Sequence, residues 1–219
     1  MLDEIGAERL GAGLWRWVAY YPEWKADVGC LAYRNRDRIV LVDPLAPDGR
    51  VETRRFWSAL DAELRGRARP AHVVLTVRWH ERHTQEVVKR YRRDPGVEVW
   101  APAGAARYLS RPPEHAFAPG DRLPAGIVAL ATGRSDEVLL WLPRPRTLVA
   151  GDVLLGGKRA PLRVCPQSWL PHGVRRPEVA ATLRRTLELP IEIVVPLHGE
   201  PVRTDARAAL DAALADAGA

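Results

Sequence analysis

Val194-Val195-Pro196-Leu197-His198-Gly199-Glu200-Pro201 closes an apolar, β-branched run that begins at Ile191, and it sets a metal-ligand type of side chain where the run stops. The same arrangement occurs upstream. His72-Val73-Val74-Leu75-Thr76 leads into Arg78-Trp79-His80-Glu81-Arg82-His83, and Leu148-Val149-Ala150 leads into Gly151-Asp152. Short apolar runs bounded by turn residues read as buried strands. Three strands that each end on histidine or aspartate point to ligands gathered at one edge of a rigid scaffold.

Outward from these sites the chain alternates in type. Leu14–Tyr20, Gly29–Tyr33 and Arg38–Val42 are β-rich runs, separated by Tyr21-Pro22-Glu23 and Asn35-Arg36-Asp37; the third stops at Asp43-Pro44. Proline cannot continue a central strand. From Val51 to Leu64, Phe56, Leu60 and Leu64 recur every four residues, which predicts an amphipathic helix. His83–Tyr91 reads as a second helix, Val97–Trp100 as a strand and Ala105–Leu109 as a short helix. Strands follow at Ile127–Ala131, Glu137–Leu142 and Thr147–Ala150, with Gly133-Arg134-Ser135-Asp136 as a turn. A helix over Pro177–Leu189, the strand Ile191–Val195 and an alanine-rich helix over Asp205–Asp216 complete the pattern. Strands with interleaved helices, repeated in each half, predict two sheets packed face to face with helices outside.

At 219 residues and 47% hydrophobic content, one domain spanning 1–219 is expected. The stretch Met1–Trp17 has no basic segment followed by an apolar one, so no secretory signal is expected. No run reaches the roughly 20 apolar residues of a membrane helix. Cys30 and Cys165 show no C-x-x-C spacing and read as reduced, partly buried hydrophobes. A cytoplasmic location follows as an expectation. The formal charge of +6 comes almost wholly from arginine. Its densest cluster, Lys89-Arg90-Tyr91-Arg92-Arg93, falls at an expected helix C-terminus ahead of Asp94-Pro95-Gly96, where cations complement the dipole. Nucleic-acid binding is therefore not expected. Gly156-Gly157-Lys158 lacks the rest of a phosphate-binding loop.

The three strand-end sites, in this order, resemble the metal-binding framework of the metallo-β-lactamase fold superfamily, and the likeness runs from Leu14 through nearly the whole chain. It implies an α/β fold, a four-layer αββα sandwich of two mixed sheets. That family's first motif runs Thr/Ser-His-x-His-x-Asp-His. Setting His80 and His83 on its second and third histidines places Arg78 on the first and Arg82 on the aspartate. The family's Gly-His-Thr-like turn corresponds to Gly133-Arg134-Ser135, its Gly-Asp pair to Gly151-Asp152, and its last histidine to His198-Gly199.

In the family's scheme one metal takes the first two histidines and the turn histidine, and of these His80 alone remains. The second metal would keep His83 and His198, with Asp152 as the bridging carboxylate. The resemblance thus implies a divergent, hydrolase-like protein with a degenerate metal centre. Its possible ligands are His80, His83, Asp152 and His198, and it holds either no cofactor or one divalent ion (zinc, iron or manganese). Were it active, it would hydrolyse an ester, thioester, lactam or phosphoester, with His80 and Asp152 as the catalytic pair. Arginine stays charged at any working pH, and one such charge about 5 Å from a divalent ion costs roughly 6–7 kcal/mol at an effective dielectric of about 20. The alternative is a non-catalytic protein in which Arg78, Arg82 and Arg134 line a cleft for a small anionic ligand. On this alternative the arginines replace the metal's charge, and Asp152 is expected within salt-bridge reach of at least one of Arg78, Arg82 and Arg134. Asp43 reads as a group orienting a ligand or as a turn cap, and Trp15, Trp17, Tyr20 and Tyr21 as pocket walls or core.

Overall fold

The computed structural model describes residues 6–36, 38–65, 70–94, 96–157 and 161–218. Asp37, Pro95 and Lys158, named above in turns and a glycine-rich loop, lie outside them. The first sheet has seven strands in chain order: β1 (Glu8–Gly11), β2 (Leu14–Tyr21), β3 (Ala26–Arg34), β4 (Ile39–Val42), β5 (Ala71–Val74), β6 (Val97–Pro102) and β7 (His115–Phe117). The pairs from β1 to β4 are antiparallel and those from β4 to β7 parallel. The second sheet comprises β8 (Val128–Ala131), β9 (Val138–Leu142), β10 (Thr147–Ala150) and β13 (Ile193–Pro196), in the order β13-β10-β9-β8. Between β10 and β13, β11 (Leu154–Gly156) and β12 (Leu162–Val164) form a small antiparallel pair.

Helices cover the outer faces. α1 (Arg50–Leu64) and α2 (Thr84–Tyr91) lay Phe56, Leu60, Leu64, Val87 and Tyr91 on Trp17, Leu41, Val73 and Leu75 of the first sheet. The short α3 (Ala103–Ala106) follows β6. α4 (Arg176–Leu183) and α5 (Ala206–Gly218) lay Val179, Leu183, Leu210 and Leu214 on Leu139, Trp141, Leu148 and Val194 of the second. A third cluster, including Leu31, Val40, Val42 and Val74 from one sheet and Val138, Leu140, Leu142, Val149 and Val195 from the other, fills the space between them. Side chains alternate between the faces of a strand, and β9 shows the consequence. Leu139 and Trp141 meet helices, Leu140 and Leu142 meet the opposite sheet, and all five of its residues are buried. This is the expected αββα arrangement.

Parallel pairing positions the site. In β10 and β13, Ala150 stands opposite Pro196, so Asp152 and His198 each follow two residues beyond the same register pair. In β4 and β5, Val42 stands opposite Val74, which brings Asp43 and the segment after Thr76 to the corresponding edge of the first sheet. Gly151 permits the close approach of the two edges, since a Cβ there would lie 2.7 Å from Thr76 Oγ1. Cys30 and Cys165 are free thiols, both fully buried rather than partly so, and burial pushes each up to about 11. Among the described residues no helix is long and apolar enough to cross a membrane.

α1 and α2 are tied by Asp61, which accepts from Arg90 Nε at 2.9 Å and Nη2 at 2.6 Å and from the Tyr91 hydroxyl at 2.8 Å. Part of the basic cluster at the end of α2 is thus engaged in helix–helix pairing. The Arg90 fork holds the Asp61 carboxyl down at about 2, against the upward push of burial, and Tyr91 adds to it. A carboxylate lowered by folding contributes stability that is present above its unfolded value, near pH ~4, and is lost as pH falls toward the folded one. Asp61→Asn should therefore flatten the loss of stability between pH ~4 and ~2 in denaturant titrations. An acid limb as steep as that of the wild type would contradict this role.

Candidate functional site

Asp43 anchors the site. It is fully buried, and its backbone takes φ 47°, in the left-handed region that non-glycine residues enter only when the surroundings require it. Oδ1 accepts from the Thr76 amide at 2.9 Å. Oδ2 accepts from the Thr76 hydroxyl at 2.5 Å and from His80 Nδ1 at 2.7 Å. A carboxylate that accepts a hydrogen bond from Nδ1–H leaves the Nε2 lone pair of His80 available on the opposite side of the ring. Of the two roles read for Asp43, orienting a neighbouring group is the one these contacts support.

His80 Nε2 lies 3.2 Å from Asp152 Oδ1, and His198 Nε2 lies 3.2 Å from the same oxygen. None of these three buried atoms has a well-aligned hydrogen bond. Together they form a set of ligand atoms within 4.8 Å of one another. Buried polar atoms normally find partners, so three that converge without one mark a place built for something else. Two imidazole nitrogens and a carboxylate oxygen suit zinc, iron or manganese. A divalent ion fits these residues.

His83 stands apart. The trio implied by the resemblance was His83, Asp152 and His198, whereas the structure gathers His80, Asp152 and His198. The reason is local. His80 sits in a single 3-10 turn, Arg78–Glu81, and Arg82 then takes φ 40° before α2 begins. That reversal sends His83 to the N-terminus of α2, where its Nδ1 accepts from the Ala46 amide at 3.0 Å.

The arginines are placed differently from expectation too. None of Arg78, Arg82 and Arg134 forms an ion pair with Asp152. Arg78 Nε meets Asp136 Oδ2 at 3.3 Å, with its guanidinium stacked between Trp79 and Tyr108, 3.8 and 4.3 Å from the ring centres. Arg134 is buried and meets Asp136 Oδ1 at 3.3 Å and Glu137 Oε2 at 2.9 Å. Asp136 and Glu137 thus take up the charge assigned to Asp152. The partners Asp152 does have are the two imidazoles. Burial pushes its carboxyl up, but His80 and His198 outweigh that and hold it well below the usual carboxylate range. His80 is pulled down by burial and by Arg82, yet Asp43 and Asp152 together leave it raised.

Glu137 was not singled out from sequence, although an acid opening an otherwise apolar strand three residues after an arginine was a usable signal. It is fully buried, and Oε1 accepts from the amides of Asp152 at 2.7 Å and Val153 at 2.8 Å. Burial pushes Glu137 up to about 8, with Asp152 adding to the rise and Arg134 and the two amides opposing it. The loop that presents Asp152 therefore hangs on this carboxyl group. Of the expected pocket walls, Trp15 and Trp17 are core. The aromatics beside the site are Trp24, 5.8 Å from the His80 ring and 5.9 Å from that of His198, and Trp169, 6.1 Å from His198. Trp169 comes from the segment before α4 that also carries the exposed His172.

Glu137→Ala should destabilise the protein by about 3–5 kcal/mol, because it strands the buried Arg134 guanidinium and two backbone amides. Denaturant unfolding measures this directly. A loss below about 1 kcal/mol would show that water or Asp136 replaces the contact.

No protein-family model matches the sequence, and no curated protein matches it. Solved structures do match. VMB-1 superposes with a TM-score of 0.69 at 14% identity over 97% of each chain. The DIM-1 metallo-β-lactamase gives 0.69 at 16% identity over 96% of this chain and 97% of its own. The metallo-β-lactamase FIM-1 from Pseudomonas aeruginosa, solved in a mono-zinc form, gives 0.67 at 16% identity over 97% of this chain and 95% of its own. At such identities the likeness is one of architecture, and it agrees with the layers and strand order described above: the chain has the metallo-β-lactamase fold.

Proposed function

We propose that the protein is a hydrolase-like protein of this fold that works with a single divalent metal, most simply zinc, held by His80 Nε2, Asp152 Oδ1 and His198 Nε2. The observation that carries the reading is the convergence of these three buried atoms, none of them in a well-aligned hydrogen bond, with the opposite nitrogen of His80 already committed to Asp43. FIM-1, solved in a mono-zinc form, supports a one-metal centre as a workable state of this fold. His80, Asp152 and His198 would hold the ion, which would supply Lewis-acid activation when bound.

The residues of the chain divide the remaining work. Asp43 keeps His80 in the tautomer that presents Nε2, and Thr76 keeps Asp43 in place with two hydrogen bonds. Glu137 fixes the backbone at Asp152. The His198 carbonyl accepts from the Gly156 amide at 2.7 Å, which locks the closing loop onto β11. Trp24 and Trp169 flank the imidazoles. Arg78 and Arg134 are engaged by Asp136 and Glu137 rather than by Asp152, so neither competes for the ligand oxygen. The bond cleaved is an ester, thioester, lactam or phosphoester, the classes named from the resemblance.

Chelator-stripped protein titrated with zinc should take up one equivalent. His198→Ala should abolish tight uptake, while His83→Ala should leave it intact. Failure of the wild type to bind zinc, or loss of binding in His83→Ala, would overturn the assignment. Asp43→Asn should weaken zinc binding by roughly 10–100-fold, as is usual when the carboxylate behind a ligating histidine is removed. Competition with a chromogenic chelator measures that change, and an unchanged affinity would remove Asp43 from the site. The zinc-loaded wild type should cleave an activated acyl ester and Asp152→Ala should not.

A further inference from the structure

Arg82 is the arginine of the three that has no carboxylate partner among the described residues. Its Nη1 donates to the carbonyls of Gly29 at 3.1 Å and Asp43 at 3.2 Å, with Cys30 Sγ 3.8 Å away. Its Nε and Nη2 are both buried and have no partner. These two nitrogens share one edge of the guanidinium, and their parallel N–H bonds form the fork that receives a carboxylate side-on. The carbonyls on Nη1 fix the plane of the group, so the fork is pre-aimed. Leaving two charged donors buried and unmatched costs the fold more than one unpaired amide would.

The fork belongs to the same cleft as the ligand trio. The Arg82 guanidinium carbon lies 5.9 Å from the Trp24 ring, and that indole also borders the rings of His80 and His198. Its charge is near enough to oppose protonation of His80. Trp24 is 38% exposed in the turn between β2 and β3, so it is the neighbour free to yield to a ligand.

We propose that the Nε/Nη2 edge of Arg82 binds a carboxylate group of the substrate, which makes the substrate class an organic acid with its scissile group directed to His80, Asp152 and His198. The second half of this statement rests on the hydrolytic reading of that trio; the carboxylate site itself does not. A flat, unsaturated or aromatic acid fits best, because the carboxylate must pass beside Trp24 and its body then lies against an indole face.

Benzoate, with benzamide as its neutral isostere, tests the site by calorimetry. The zinc-free wild type should bind benzoate at least tenfold more tightly than benzamide. Arg82→Met should lose at least tenfold in benzoate affinity while leaving benzamide unchanged, and its zinc uptake should stay at one equivalent. If Arg82→Met does not fold, Arg82→Lys serves instead. It retains the charge and a donor for the two carbonyls but not the fork, and should lose most of the same affinity. Benzoate affinity equal in wild type and variant, benzoate binding seen only with zinc present, or no benzoate binding at all would each overturn the proposal. Zinc uptake on the same samples keeps the two readings apart: a wild type that binds benzoate through Arg82 but takes up no zinc sinks the metal and leaves the carboxylate site standing.

Discussion

A carboxylate shut away from water has to find donors for its oxygens, and in this protein that requirement is concentrated on Asp43. The residue sits where β4 ends, in a left-handed backbone conformation, and it draws the Thr76 amide, the Thr76 hydroxyl and His80 Nδ1 around itself. Each contact joins the end of one parallel strand to the start of the next connection. Remove the carboxylate and the turn after β5 loses its anchor, His80 loses its fixed tautomer, and Asp152 loses a defined neighbour. The two sheets are held by apolar burial, but the relative placement of their edges depends on this small polar knot.

Around the knot the charges are sorted into two groups. On one side Arg78 and Arg134 meet Asp136 and Glu137 in a compact network that also carries the Asp152 backbone. On the other, Asp43 and Asp152 face two imidazoles and the half-engaged Arg82. The first group is paired within itself and serves as a support. On the reading proposed above, the second group takes one cation between the histidines and one anion at the arginine. A cation site and an anion site that share a wall suit a ligand with two differently charged or polarised ends.

How much of this was legible in the sequence depended on the length of the signal. Long periodic segments were clear: the four-residue spacing of Phe56, Leu60 and Leu64 became α1, and the apolar runs became β5, β9, β10 and β13. The strands β1, β7, β11 and β12, three or four residues each, hold at most one β-branched residue, so they stood out less than β5, β10 and β13 of similar length. At the site, His80, Asp152 and His198 could be named because strand ends in a parallel sheet converge by necessity. His83 could not be placed, because one positive φ at Arg82 decides its direction and no pattern of residue types encodes that angle. The partners of the arginines were hidden for a related reason: Asp136 and Glu137 lie beside Arg134 in sequence, where a turn usually leaves such charges in water.

The buried Arg134–Glu137 pair also constrains how the chain can change. Placing a histidine at position 134, where the resemblance would set one, looks like a simple way to add a metal ligand. It would leave the Glu137 carboxyl group without its main cationic partner while that group still holds the amides of Asp152 and Val153. The step is therefore locked behind another: position 137 must change first or together with it, and a change at 137 alone strands Arg134. Changes at 134 and 137 are thus coupled, and Arg78 and Arg82, which the resemblance sets on two further ligand positions, would still have to change as well. The present arrangement is an epistatic trap as well as a support, and drift at either position is opposed by the other.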